Sequence, residues 1–498
     1  MMFDPGELNF IGPEIAVFVF ALLVLVHDVM FKQRNATISM GVSLMGLATA
    51  AVLNLLNMQA VDVPREAFAG AMAVDGFGFF LNFIVLLAAA GALLISHDFL
   101  RRIDVDVPEF NPLVLFVAFG MMLMGSANDL ILLFISLEVM SLGVYVLCGI
   151  NRGELASAEA ALKYFVMGAF ASGFLLMGIA FVYGGIGSTR ISAVAQWFAI
   201  EGNGIAGNPL IGVGVALLLV GFGFKVAAAP FHMWTPDVYQ GAPTPVTAFM
   251  ATGVKAAAFA ALSRVLLVAL LGQNLEFHTA LWLIAAGTIL MGNIGALVQD
   301  DLKRMLAYSS IGHAGYLLMA LVGAPAAGLA DNPRLGGILF YLLAYTVMTV
   351  GAFAVLSFFT RDGVEDTRIS RLGGLADRHP AVALALSICL LSLAGVPPTM
   401  GFVGKFYLFA AAIEGGAIGI AVVGAIGGAI GIYYYLRPIV VMYMHPEPAD
   451  RVELAMNPAA LGVLGVATVA VLVFGLVPGS LIEVAQDSLL SLAAWGGV

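Results

Sequence analysis

The sequence predicts an all-α polytopic membrane protein of about fourteen transmembrane helices, and two observations predict it. Of 498 residues, 61% are hydrophobic and only 10% are charged, with a mean hydropathy of +1.02, whereas a soluble globular domain carries roughly 25% charged residues. The apolar residues also fall into runs of the length that crosses a bilayer, about 20 residues each. Water cannot solvate a surface this apolar, so lipid is the expected solvent.

Runs at 11–31, 37–58 and 73–96 form an N-terminal group within residues 1–110. The first lacks a basic leader and a small-residue cleavage site, so it is expected as a retained helix rather than a removed signal. Runs at 111–127, 129–150, 156–184, 207–239 and 244–272 make a set of five over residues 111–272. Runs at 278–298, 302–324, 334–360, 380–413 and 416–443 make a second set over residues 273–443, and a run at 457–485 closes the C-terminal segment 444–498. No soluble domain interrupts them, so all belong to a single membrane domain, 1–498. The seventh and twelfth runs are too long for one straight span. They contain Pro230 and Pro397–Pro398, and proline removes helix hydrogen bonds that lipid cannot replace. Both are predicted to be broken helices. Two sets of five helices (4–8 and 9–13) put the second copy upside down, as two inverted repeats. In sequence the echo is faint, Ala161-Leu-Lys-Tyr beside Ile338-Leu-Phe-Tyr.

Lys and Arg in the loops set the orientation. Lys32, Arg34, Arg101, Arg102, Arg152, Lys303, Arg304, Arg361, Arg368, Arg371, Arg378 and Arg451 follow odd-numbered spans, and only Arg65, Arg190 and Arg334 lie on the other side. Both termini are therefore expected on the periplasmic side. The net charge of −10 lies mostly in loops and helix ends, and no basic tract suggests nucleic acid. The two cysteines, Cys148 and Cys389, are far apart and form no metal-binding spacing. No glycine-rich phosphate loop is present. No cofactor or metal is expected on this chain.

The informative residues are charges inside apolar runs. Lys163, Lys225, Lys255 and Lys405 lie within spans, as does Glu138, whereas Lys32 and Lys303 are assigned to loops. A lysine at the centre of a membrane helix costs roughly 2.5–3.5 kcal/mol on insertion scales. In water an amine with a pKa of about 10.4 holds its proton too tightly to relay it near neutrality. Loss of solvent weakens that hold and a carboxylate strengthens it. A buried amine beside a protonatable partner can therefore switch between keeping and releasing a proton. Lys225 and Lys405 each lie within two turns of a proline break, at Pro230 and Pro398, which suggests hydrated cavities. For Lys163, near its helix end, snorkelling to the interface is the competing reading. His313 has an unperturbed pKa of about 6.5, which suits a connector, although a lone helix histidine is often only a hydrogen-bonding group. Arg264 is placed to reach the interface, and Arg437, after Tyr433-Tyr-Tyr, to anchor there.

Several longer motifs carry a resemblance. Phe231-His-Met-Trp-Thr-Pro-Asp-Val-Tyr-Gln-Gly-Ala-Pro-Thr-Pro-Val246 is similar to the segment joining the seventh and eighth helices in the antiporter-like subunits of complex I, the proton-pumping NADH:quinone oxidoreductase. Its Asp-Val-Tyr-Gln-Gly-Ala-Pro form resembles that of N-type subunits. Leu137-Glu-Val-Met-Ser, Glu159-Ala-Ala-Leu-Lys-Tyr-Phe, the stretch from Asp301 to Tyr316, and Leu393-Ala-Gly-Val-Pro-Pro-Thr-Met-Gly-Phe-Val-Gly-Lys are similar to N-type sequences as well. The resemblance implies that Glu138 and Lys225 form a partnered switch with Lys163 and Lys255 close by. It implies that His313 passes protons to a second half-channel ending at Lys405. It further implies a translocase subunit in a bacterial inner membrane with the other membrane subunits of the complex as partners. NADH, FMN, iron–sulfur clusters and quinone would belong to the assembly. The rival expectations are a subunit of a multi-subunit cation/proton antiporter and an autonomous solute transporter.

Overall fold

The computed structural model describes residues 5–30, 36–105, 107–200, 204, 207–270, 275–325, 328–361, 363–448 and 454–495. Lys32, Arg34 and Arg451, used for the orientation, lie outside them. The chain opens with α1 (Gly12–Met30), α2 (Ala36–Ala60) and α3 (Gly76–Arg102). It continues through α4 (Phe110–Ser126), α5 (Leu130–Cys148), the long α6 (Leu155–Ile186) and a short α7 (Ile191–Ala199). The seventh run divides into α8 (Pro209–Lys225) and α9 (Thr235–Gly241). The eighth is α10 (Thr244–Phe249) and α11 (Lys255–Arg264), with π-helical turns at Met250–Val254 and Val265–Ala269. Then come α12 (Leu275–Leu297), α13 (Leu302–Val322), α14 (Gly337–Leu356) and a one-turn α15 (Leu375–Arg378). The twelfth run divides into α16 (Pro380–Ala394) and α17 (Met400–Glu414), followed by α18 (Ile418–Met444), α19 (Pro458–Leu476) and α20 (Gly479–Leu490).

Among the described residues, eleven helical segments are long and apolar enough to cross a membrane, and α4, α8 and α16 are shorter apolar helices. The run through α10 and α11 is wholly buried and α13 nearly so, whereas α2 and α19 present most of their apolar surface outward. A helix that is apolar all round is buried either in protein or in lipid, and these outer faces are the lipid-facing kind. The expected span 457–485 is two helices: α19 ends at Leu476, and Pro478, which cannot continue it, precedes α20. Two small antiparallel hairpins, β1 (Arg65–Ala67) with β2 (Met72–Val74) and β3 (Thr360–Arg361) with β4 (Val364–Glu365), sit in loops.

The same latch occurs twice. Asp129 caps α5 by accepting from the Ile131 amide at 2.8 Å, and its other oxygen accepts from Thr189 Oγ1 at 2.6 Å. Around it the Leu130 amide donates to the Thr189 carbonyl at 2.9 Å, and the Ile191 amide to that of Asn128 at 2.7 Å. Asp301 caps α13 through the Arg304 amide at 2.8 Å and accepts from Thr367 Oγ1 at 2.6 Å. Here Leu302 donates to Thr367 and Ile369 to Asp300, both at 2.8 Å. The sequences are alike, Ser188-Thr-Arg-Ile-Ser192 and Asp366-Thr-Arg-Ile-Ser370.

Arg264 turns into the protein, to the N-terminal end of α3. It is fully buried, its Nη1 and Nη2 donating to Asp75 at 2.7 and 3.0 Å and its Nη2 and Nε to the Gly125 carbonyl at 2.9 and 3.2 Å. Asp75 also caps α3 through the Gly78 amide and accepts from Trp495 Nε1 at 2.8 Å. Sequence separation concealed the pairing, because the counter-charge lies 189 residues away.

Candidate functional site

Two helix breaks organise the polar interior. α8 stops at Lys225, and the turn that follows holds Pro230, whose bond to Ala229 is cis. Side chains satisfy the backbone released there, as an interior without bulk water requires. Trp234 Nε1 donates to the Phe224 carbonyl at 3.1 Å, and Thr288 Oγ1 accepts from the Ala229 amide at 2.9 Å. Lys225 is buried, and its Nζ donates to Ser141 Oγ at 2.7 Å and to the Tyr145 hydroxyl at 3.4 Å. The rings of Tyr145, Tyr164 and Phe224 surround the ammonium, with centroids 5.5, 5.6 and 5.7 Å away. Such rings attract a cation without supplying a counter-charge.

Glu138 lies on the same face of α5 as Ser141 and Tyr145, at helical spacings of three and seven. It is within electrostatic reach of Lys225. No direct bond joins the two, and Glu138 Oε1 is buried without a hydrogen-bond partner. Ser141 and Tyr145, on that same face of α5, are the side chains that take the amine.

Lys255 opens α11 immediately after a π turn, a local widening that often marks functional positions. It is buried and donates to the Ser310 carbonyl on α13 at 2.6 Å. α13 then carries His313 one turn further on. His313 Nε2 meets the Tyr435 hydroxyl at 2.8 Å, Nδ1 meets that of Tyr341, and Tyr435 also bonds Ser309. A hydroxyl both donates and accepts, so the ring has a partner for either tautomer. One turn beyond, the Tyr316 ring lies 5.1 Å from Lys405 Nζ. Asn293 ties the Tyr316 hydroxyl, at 3.3 Å, to that of Tyr434, at 3.1 Å.

At the second break, Lys405 Nζ donates to the Leu393 and Ala394 carbonyls at 2.8 and 2.9 Å. These are the last carbonyls of α16, where an ammonium also meets the negative end of the helix dipole. Gly395 has φ +86°, a conformation that favours glycine, and an added Cβ there would lie 2.8 Å from Lys405 Cδ and push the lysine aside. Pro397 and Pro398, joined by a cis bond, fill the break, and Thr399 caps α17. Lys405 is half-buried, its amine turned inward.

Lys163 has a side chain 38% exposed, and it pairs with Glu159 at 3.0 Å and Asp237 at 2.7 Å. It sits two turns into α6, where Asp237 from the second half of the broken helix meets it. Lys303 is not in a loop: it lies in the first turn of α13, buried, donating to the Ala242 carbonyl at 2.5 Å and to Glu365 at 2.7 Å. Glu365 also accepts from the Thr244 amide and hydroxyl, while Arg304 donates to Asp237 and Gln240. The Asp237–Thr244 segment therefore binds α6, α13 and the β4 loop into one knot, which gives that long motif a mechanical reason. Ser141, Tyr145, Tyr341, Tyr316 and Tyr435 were not singled out from the sequence. Only the Tyr433-Tyr-Tyr run was a visible signal.

Among the described residues no cluster of three or more His, Cys, Asp or Glu could hold a metal ion, and both cysteines are free and buried. Fold and site together define a polytopic membrane protein with ionisable side chains strung through its interior between two broken helices. Residues 127–431 match the family described as NADH:quinone oxidoreductase/Mrp antiporter, TM. NADH-quinone oxidoreductase subunit N of Trichlorobacter lovleyi is 42% identical, the match covering 98% of each chain. That of Bdellovibrio bacteriovorus is 40% identical over 97% of this chain and 99% of its own. A chain of respiratory complex I from Thermus thermophilus with bound Aureothin aligns with TM-score 0.79 at 38% identity, covering 95% of this chain and 98% of that one. A chain of the Mrp complex from Dietzia sp. shares the fold, with TM-score 0.84 at 22% identity over 98% of both. The chain belongs to the NADH:quinone oxidoreductase/Mrp antiporter transmembrane family.

Proposed function

We propose that this chain is an N-type membrane subunit of NADH:quinone oxidoreductase that carries protons across a bacterial inner membrane, driven by quinone reduction elsewhere in the complex. The observation that carries the reading is the row along α13: Lys255 on the Ser310 carbonyl, His313 between two tyrosine hydroxyls, and Lys405 against the Tyr316 ring. Successive turns of one helix thus put an amine, an imidazole and a second amine in line, each removable from its partner by a small shift. Lys225 and Glu138 form the input, coupled through Ser141 and Tyr145 rather than by direct contact. Lys163 acts from outside this row, by holding Asp237 at the end of the broken helix.

The partners are the other membrane subunits and lipid, and the redox groups (NADH, FMN, iron–sulfur clusters, quinone) sit in the rest of the assembly. Fourteen crossings, with two inverted five-helix repeats and both termini periplasmic, complete the reading. The duplicated Asp–Thr latch supports the repeat, since each copy joins the start of one helix to the loop that follows the next. Membrane-impermeant labelling of cysteines placed at each terminus tests the sidedness.

The functional test is Lys225→Ala or Glu138→Ala in the assembled complex. Proton pumping should fall sharply while the subunits still co-purify. Unchanged pumping in either variant removes the switch assignment. Co-purification without iron–sulfur subunits would favour a separate cation/proton antiporter, and solute uptake by the lone reconstituted chain would favour a transporter.

A further inference from the structure

Outside the lysine row, α1, α2 and α3 enclose a second polar node. Glu14 is 1% exposed, and Asn54 and Asn82 are equally buried. Asn82 Nδ2 donates to Glu14 Oε1 and to Asn54 Oδ1, both at 3.1 Å, while Asn54 Nδ2 donates to the Phe79 carbonyl at 2.9 Å. Two buried oxygens have no partner, Glu14 Oε2 and Asn82 Oδ1.

Among the described residues no cation pairs with this carboxylate. α2 and α4 carry no charged residue among those described, and α3 carries its charges, Asp98, Arg101 and Arg102 with His97, only at its far end. On α1 itself, His27 and Asp28 lie more than three turns away and bond to each other. At the near end, Glu7 accepts from the Phe68 amide, Glu66 from Asn128 and Ser192, and Arg65 lies over the Phe10 ring. An ionised carboxylate buried without a cation is among the costliest arrangements an interior can hold.

One proton removes both difficulties. A carboxylic acid and a carboxamide pair through two complementary bonds, amide N–H to acid carbonyl and acid O–H to amide carbonyl. The first is already present, and the two unpartnered oxygens are the two ends of the second. We propose that Glu14 is a neutral carboxylic acid at pH 7, its proton bridging to Asn82 Oδ1, so that the N-terminal helices contain a proton-holding site distinct from the lysine row. The ligand is a proton; a sodium ion among the same oxygens is the alternative the test separates.

The test is infrared spectroscopy of the purified complex in sodium-free buffer, wild type against Glu14→Gln. The difference should contain the carbonyl stretch of one protonated carboxylic acid, shifted in D2O and moved to the free-acid position in Asn82→Leu. Glu14→Gln can close the same ring as a pair of amides, so subunit retention and melting temperature should match wild type. Asn82→Leu should melt lower. Replacement of the acid band by a carboxylate band, either in sodium-free buffer or on adding sodium, overturns the proposal. So does a wild-type difference spectrum that lacks the acid band.

Discussion

At the residue scale the strongest statement concerns Arg264 and Asp75. Removing one member of a buried ion pair leaves a charge without partner or water, and costs about 3–5 kcal/mol. Asp75→Ala also removes the α3 cap and the Trp495 tether, so it should lower the melting temperature of the complex far more than Glu66→Ala, whose carboxylate is partly exposed. Equal melting temperatures would contradict the burial. Asp366 gives a pH signature. Hydrogen bonds from Arg368 first, and then Arg371, hold its carboxyl below the usual carboxylate range in spite of partial burial. A lowered folded value means the contribution is complete above the unfolded value of about 3.9 and is lost as pH falls through the folded one. Amide protection factors in the 363–372 loop, corrected for the intrinsic exchange rate, should therefore fall below about pH 4, and Asp366→Asn should lower them at neutral pH and flatten the dependence. The lysines were legible because a charge stands out against an apolar run. Their hydroxyl partners were not, since serine and tyrosine are ordinary in helices and only packing shows which ones face an amine. Lys303 misled for a related reason: a basic residue at a helix start reads like one in a loop.

At the element scale, the breaks were visible in their prolines, but what satisfies them was not. At one break Lys405 itself takes the last carbonyls of α16, which makes its charge part of the helix end. At the other, Trp234 Nε1 donates to the Phe224 carbonyl and Thr288 Oγ1 accepts from the Ala229 amide, which leaves Lys225 free to address Ser141. The π turns beside Lys255, and the division of the last span at Pro478, have no periodicity signature long enough to read. The latches had one, the repeated Thr-Arg-Ile-Ser, but similarity over four residues gains meaning only when both copies meet a capping aspartate. Each hydroxyl contributes on the order of 1 kcal/mol net, and the two latches share no residue, so Thr189→Val and Thr367→Val should destabilise by similar, additive amounts. A double variant no less stable than either single one would show that the latches are not independent devices.

At the scale of the whole molecule, the two broken helices are joined by α13, and everything proposed about transport requires that this joint conduct. Tyr435 is its narrowest point, because one hydroxyl bonds both Ser309 and His313. Tyr435→Phe keeps the ring, its packing against Tyr434 and the buried volume, and removes only that oxygen. If protons pass from Lys255 to Lys405 through His313, the variant should assemble normally and oxidise NADH, yet pump fewer protons per electron. His313→Phe should show the same deficit. Lys163→Ala should differ, since a solvent-screened pair contributes little: it should loosen the Asp237 knot without breaking the row. Purified complexes reconstituted in vesicles, with proton uptake and NADH oxidation read together, distinguish the cases. A Tyr435→Phe complex with an undiminished proton-to-electron ratio would mean that the halves do not exchange protons along α13, and that the alignment of the two lysines with the histidine serves packing alone.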